Sequence, residues 1–169
     1  MALESMSDLL LDQLKDLYSA EQQLVRALPK LAEAACSQSL KEAFEGHLGE
    51  TEGQVTRLER AFQQLGVKPN GRTCRGMEGL LREGDEMTHE SGSESVRDAG
   101  LIAAAQRVEH YEIAAYGCAI TFARLLGHEE VVSLLEETLS EEKAADDKLT
   151  GIADEEVNQA ALSAPSTTE

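Results

Sequence analysis

Seven residues of this chain have the side chains and the spacing to hold divalent metal inside a helix bundle: Glu21, His47, Glu50, Glu109, Glu112, Glu142 and Asp146. Carboxylate oxygens and imidazole nitrogens suit iron and manganese. One inward Glu from each of four helices is the ligand plan of di-iron and di-manganese carboxylate bundles, which ordinarily adds a Glu-x-x-His pair on two of those helices. Here Gly53 stands three residues after Glu50 and Ala145 three after Glu142, so both pairs lack their histidine. His47, three residues before Glu50, is the imidazole that could serve.

These acids stand out because of where they fall. Leu10, Leu14, Leu17, Leu24, Leu28 and Leu31 draw one apolar stripe along a helix, and Glu21 sits where that stripe calls for leucine. His47, Thr51 and Gln54 continue the spacing between Phe44 and Leu58, with Glu50 on an adjoining line. Glu109 lies between Ile102 and Tyr116, with His110 beside it and Glu112 one turn on. Glu142 is a heptad from Leu135 and from Leu149, and Asp146 follows it by four. Glu21, Glu50, Glu109 and Glu142 are therefore expected to face inward. An unpaired carboxylate in an apolar interior costs several kcal/mol, so such a cluster needs a cation, protons or basic partners. Taken singly, an acid at a stripe's edge can lean into solvent, and His47 or His110 can be an ordinary hydrogen-bonded histidine. Their joint occurrence is what points to a metal. His89 and His128 lie off the stripes and receive no role.

Four long helices must position these residues, near 3–34, 39–65, 95–126 and 129–159. Ser37, Gln38 and Ser39 break the first two apart, and Gly66 and Gly127 are C-terminal stops. The bridge between the hairpins holds Lys68-Pro69-Asn70-Gly71, a short helix near 77–87 and the loop Ser91-Gly92-Ser93. It is long enough to carry the chain from one end of a bundle to the other. The expectation is all-α: an up-down-down-up four-helix bundle over 1–159, with a long crossover carrying a short helix, and a disordered tail at 160–169. Counting back from the hairpin turns at the rise of a helix sets Glu21 opposite the neighbourhood of Gln54, and Glu109, Glu112, Glu142 and Asp146 in one slab.

Composition agrees. The 169 residues suit a single domain, with 41% hydrophobic residues, three prolines and no tryptophan. A formal net charge of -17, from 32 acids against 15 Lys and Arg, argues against nucleic-acid binding. The remaining acids make a solvated surface. No apolar run reaches the roughly 20 residues that span a bilayer, and the start, MALESMSDLL, lacks the basic region of a signal peptide, so a cytoplasmic protein is expected. Cys36, Cys74 and Cys118 show no CxxC pairing and are expected as reduced, buried thiols. Leu9, Leu11 and Val25 lie off the main stripe of the first helix, which predicts a two-fold homodimer.

Five segments carry a resemblance: Leu17-Tyr18-Ser19-Ala20-Glu21, His47-Leu48-Gly49-Glu50-Thr51, Cys74-Arg75-Gly76-Met77-Glu78-Gly79-Leu80, Val108-Glu109-His110-Tyr111-Glu112-Ile113-Ala114-Ala115-Tyr116-Gly117, and Glu141-Glu142-Lys143 with Asp146. The chain resembles the YciE/YciF-like proteins, bacterial ferritin-like proteins linked to stress responses, from Leu9 to about Val157. The resemblance implies a dimeric ferritin-like bundle with a centre of two iron or manganese ions at Glu21, Glu50, Glu109 and Glu142. It names no substrate. Two functions stand open: a metalloprotein acting on oxygen or peroxide, and a non-catalytic dimeric stress protein that works through partner binding without metal.

Overall fold

The computed structural model describes residues 3–69 and 72–165, and those residues are all helix and loop. Asn70 and Gly71 of the expected turn, and the tail from Ser166, lie outside the described residues. Helix α1, Met6–Ala34, starts at Ser5, whose hydroxyl accepts from the Asp8 amide at 3.1 Å and donates to the Asp8 carboxylate at 2.7 Å. That satisfies an otherwise orphaned amide at the helix start. Helix α2, Gln38–Gln64, is capped by Ser37 and closes at Gly66, which takes φ 66° so that the Val67 amide can reach back to the Phe62 carbonyl. The short connection makes α1 and α2 antiparallel neighbours, and it is fastened from outside the hairpin. The buried Asp98 carboxylate accepts from the amides of Cys36 at 3.0 Å and Ser37 at 2.6 Å.

The crossover carries α3, Arg75–Thr88, slightly longer than the expected short helix. Its N-cap is Cys74, whose buried sulfur accepts from the Met77 amide at 3.3 Å. Helix α4, Glu94–Leu125, ends at Gly127 with φ 76°, and α5, Glu129–Ile152, returns beside it. The expected single fourth helix differs in its last part. A π turn at Ala153–Val157 leads into α6, Asn158–Leu162, so helix persists past 159. The buried series Leu135, Glu142 and Leu149 runs in sevens, but the next buried residue is Val157, eight on. One wide turn absorbs the extra residue and leaves Glu156 outside, where it accepts from the Ser37 hydroxyl at 2.7 Å.

Helix α1 packs against α2 and α4, and α5 closes the ring against both of them, while α3 lies across α1 and α4. Tyr18 meets Glu59, Gln54 meets Glu141 and Gln106 meets Thr150, so adjacent helices run antiparallel in an up-down-down-up bundle. The apolar interior is in two parts. One contains Leu24, Leu28, Phe44, Leu101, Val108 and Leu149. The other contains Leu10, Leu14, Leu58, Phe62, Ile120 and Leu135. Each fully buried Leu or Phe contributes on the order of 1.5–3 kcal/mol of transfer free energy, so both parts are substantial.

Candidate metal centre

Between the two apolar parts lies a polar layer. Helix α1 supplies Glu21, α2 supplies His47, Thr51 and Gln54, α4 supplies Glu109 and Glu112, and α5 supplies Thr138 and Glu142, all of them buried. His47, Glu109, Glu112 and Glu142 each bring one ligand atom within 4.8 Å of the others. His47 Nε2 lies 3.4 Å from Glu109 Oε1 and 3.7 Å from Glu142 Oε2. Its other nitrogen, Nδ1, is 3.1 Å from Glu50 Oε2. A neutral ring that donates from Nδ1 to this carboxylate keeps the Nε2 lone pair for the centre, the arrangement in which an outer carboxylate orients a histidine ligand. The Tyr116 hydroxyl donates to Glu21 Oε1 at 2.5 Å.

Burial is the first cause of every shifted acid in the layer. It pushes the Glu109 carboxyl up to about 10, helped by the neighbouring Glu142 charge. It holds Glu21 and Glu112 well above the carboxylate range, with Glu142 and Glu21 respectively as the next cause. Glu142 is raised less, because the neighbouring His47 and then Glu109 favour its charged form. Glu109 is therefore the protonated member of the pair. Glu50 runs the other way: the His47 ring holds it below its ordinary value. Tyr116 is pushed well up by burial and by Glu21. At the outer edge of α2 and α5, Arg57 grips both oxygens of Glu141, which also accepts from Gln54 at 3.1 Å.

The donor set fits a metal. Glu21 Oε2, His47 Nε2, Glu109 Oε2 and both oxygens of Glu112 and Glu142 are buried without a hydrogen-bond partner. Buried polar atoms left unpaired cost about 1–3 kcal/mol each, more when charged, and so many in one layer is what an ion or added protons would relieve. Hard oxygens with one imidazole suit iron or manganese.

Of the seven expected ligands, the structure gathers His47, Glu109, Glu112 and Glu142, with Glu21 adjoining through Tyr116. Glu50 does not face inward. Its side chain is 50% exposed, because the line adjoining the buried stripe of α2 turns to the flank, and it reaches the centre through His47. Asp146 is half-buried and turns aside to His110 Nε2 at 3.2 Å and Gln106 at 3.3 Å. The expectation of three buried thiols holds for Cys74, whereas Cys36 and Cys118 are exposed; all three are free. The Tyr116 hydroxyl was missed. Its signal was a polar-tipped aromatic one heptad after Glu109 on the same stripe.

A family model described as Domain of unknown function (DUF892) matches residues 5–162. Protein YciF of Escherichia coli K12 is 46% identical over 162 residues, 95% of this chain and 98% of that one. The crystal structure of that E. coli stress protein superposes with a TM-score of 0.89, covering 92% of this chain and 99% of YciF. YcfI from Rhodopseudomonas palustris, to which a structural role has been provisionally attached, is 47% identical with a TM-score of 0.85, covering 88% and 94%. A Xanthomonas campestris protein at 22% identity, TM-score 0.73, over 93% and 95% of the two chains, shares the fold.

Proposed function

This chain belongs to the DUF892 family, that of the stress protein YciF, and we propose that it is a ferritin-like metalloprotein whose polar layer holds two iron or manganese ions and acts on dioxygen or peroxide. The observation that carries this reading is the set of buried, unpartnered donor atoms on Glu21, His47, Glu109, Glu112 and Glu142. His47, Glu109, Glu112 and Glu142 would hold the ions, with the free oxygen of Glu21 beside them. Such ions would supply one-electron steps and Lewis acidity when bound. The chain's own part is to keep the layer between two apolar halves, to fix the His47 ring through Glu50, and to give up the proton that burial holds on Glu109 as metal enters. Metal analysis of protein purified without chelator tests it. Iron or manganese near two per chain, lost in the Glu112→Gln, Glu142→Gln double variant, is expected. Wild type that stays metal-free after exposure to iron(II) and manganese(II) without oxygen would overturn it.

A second reading has two observations behind it. The expected Glu-x-x-His pairs are absent, and the proton that burial holds on Glu109 partly neutralises the layer without metal. On this reading the protein is a non-catalytic stress protein working through partners, in keeping with the role attached to YcfI. We propose a homodimer in either case. Val25 and Val55 line a shallow groove on the outer face of α1 and α2, and Leu9 and Leu11 stay half-buried along α1. No helix among the described residues is long and apolar enough to cross a membrane. Light scattering at micromolar concentration, giving the mass of one chain or two, decides the assembly.

A further inference from the structure

Beside the centre, between α2 and α5, lies a partly enclosed cavity of about 130 Å³. Its walls are Ala43, Phe44, Ala145 and Leu149. Two polar lining residues mark its inner end, Glu109 at 2% exposed and His47 at 6%, and their Oε2 and Nε2 atoms have no hydrogen-bond partner. The exposed Glu50 and Lys148 mark its outer end. Gly46 also lines it, in the middle of α2, where glycine costs roughly 0.5–1 kcal/mol against alanine. No close neighbour requires that glycine: the nearest atom to a Cβ built there is Lys148 Nζ, at 4.0 Å. The missing side chain keeps the space under the lysine open.

We propose that this cavity is the access port and resting pocket for the oxidant, a small neutral molecule of the class of dioxygen or hydrogen peroxide. The proposal rests on the metal reading above and names the route to that site. Charge and size select the occupant. The net charge of -17 opposes an anion. Apolar walls offer no oxygen or nitrogen ligands to replace the water of a hydrated divalent cation. A neutral diatomic or peroxide needs neither, and the unpartnered atoms of His47 and Glu109 give it polar contacts at the end nearest the ligand cluster.

The test separates the pocket from the metal. Apolar cavities of comparable size take up xenon. Crystals of the metal-free full chain under xenon pressure are expected to show xenon between α2 and α5, and crystals of Ala145→Leu to show none. After loading with iron(II), Ala145→Leu should bind as much iron as wild type and melt at a similar temperature, yet lose iron(II) to dissolved dioxygen about tenfold more slowly. Ala43→Val, a smaller plug from the opposite wall, replaces it if the leucine variant does not fold. Absence of xenon from the wild-type cavity overturns the pocket, and an unchanged oxidation rate in the plugged variants overturns the route. Failure of wild type to take up iron overturns the metal reading instead, while the xenon result still judges the pocket.

Discussion

The Tyr116 hydroxyl on α4 donates to Glu21 Oε1 on α1, and this bond joins the two hairpins inside the polar layer. It satisfies one oxygen of Glu21 and leaves Oε2 unpaired. Tyr116→Phe removes a buried hydrogen bond and exposes a second oxygen of Glu21 to the same want, which costs about 1–3 kcal/mol. At roughly 2–4 °C per kcal/mol for a chain of this size, the melting temperature of the metal-free variant should fall by several degrees. Iron(II) or manganese(II) should recover part of that fall, since Glu21 then has a new partner. Calorimetry with and without metal checks both statements, and a variant as stable as wild type contradicts the first.

The buried carboxyls tie stability to pH in a definite direction. Glu109 keeps its proton in the folded protein up to about pH 10, whereas its ordinary value is 4.5. Below that ordinary value both folded and unfolded chains hold the proton, and stability is complete. Above it the unfolded chain releases the proton and the folded one does not, so metal-free stability declines as pH rises towards the folded value. Each such carboxyl contributes a slope of up to about 1.4 kcal/mol per pH unit. Urea midpoints should therefore drop from pH 5 to pH 9 without metal, with a shallower slope in Glu109→Gln. Metal displaces those protons and should flatten the curve. A midpoint that rises with pH in the metal-free protein contradicts this account.

Asp98 is the joint between the first hairpin and α4. Its carboxylate is 2% exposed and accepts from two backbone amides of the α1–α2 connection. Asp98→Ala strips both amides of a charged partner and should cost about 2–4 kcal/mol. Asp98→Asn retains an acceptor and should cost less. Chemical denaturation of the two variants gives the ranking; equal losses would mean that packing, not the charge-assisted bonds, sets the effect.

Two glycines that look alike in sequence should respond differently to alanine. A Cβ at Gly76 would lie 2.8 Å from Tyr111 Cε2, and that ring is tied by its hydroxyl to Asp16 at 2.6 Å and Cys74 Sγ at 2.9 Å. It cannot yield freely, so Gly76→Ala should cost about 1–3 kcal/mol. A Cβ at Gly100 would meet Met87 Sδ, the end of a flexible side chain that can turn away. Gly100→Ala should be near neutral. Thermal melts of the pair decide it, and a reversed order would show that Tyr111 moves more easily than its hydrogen bonds suggest.

Much of this was legible because a helix repeats. The stripes placed Glu21, His47, Glu109 and Glu142 inside, and the short turns set the depth of each acid within its own hairpin. Across hairpins the count fails. The level of α4 against α1 depends on the crossover, so the meeting of Tyr116 with Glu21 could not be read off. Glu50 was misplaced for a different reason: a residue one line off the stripe of α2 is a rotation of roughly 60° from burial, and periodicity alone does not say which side of that boundary it takes. The π turn broke the heptad after Leu149, and the exposure of Cys36 and Cys118 followed from positions where no stripe argued either way.

The polar layer divides the interior so that the two apolar clusters hold no buried residue in common. What joins them is backbone and the layer itself. Helices α1, α2, α4 and α5 each pass uninterrupted through one cluster, the layer and the other cluster. Cooperativity between the ends is therefore carried along four hydrogen-bonded rods and through the side chains of the polar layer, in the way that struts couple two floors of a building. A proline placed at the level of Thr51 or Glu112 would cut one strut, and the amide protons of the two ends would then exchange with solvent at separate rates.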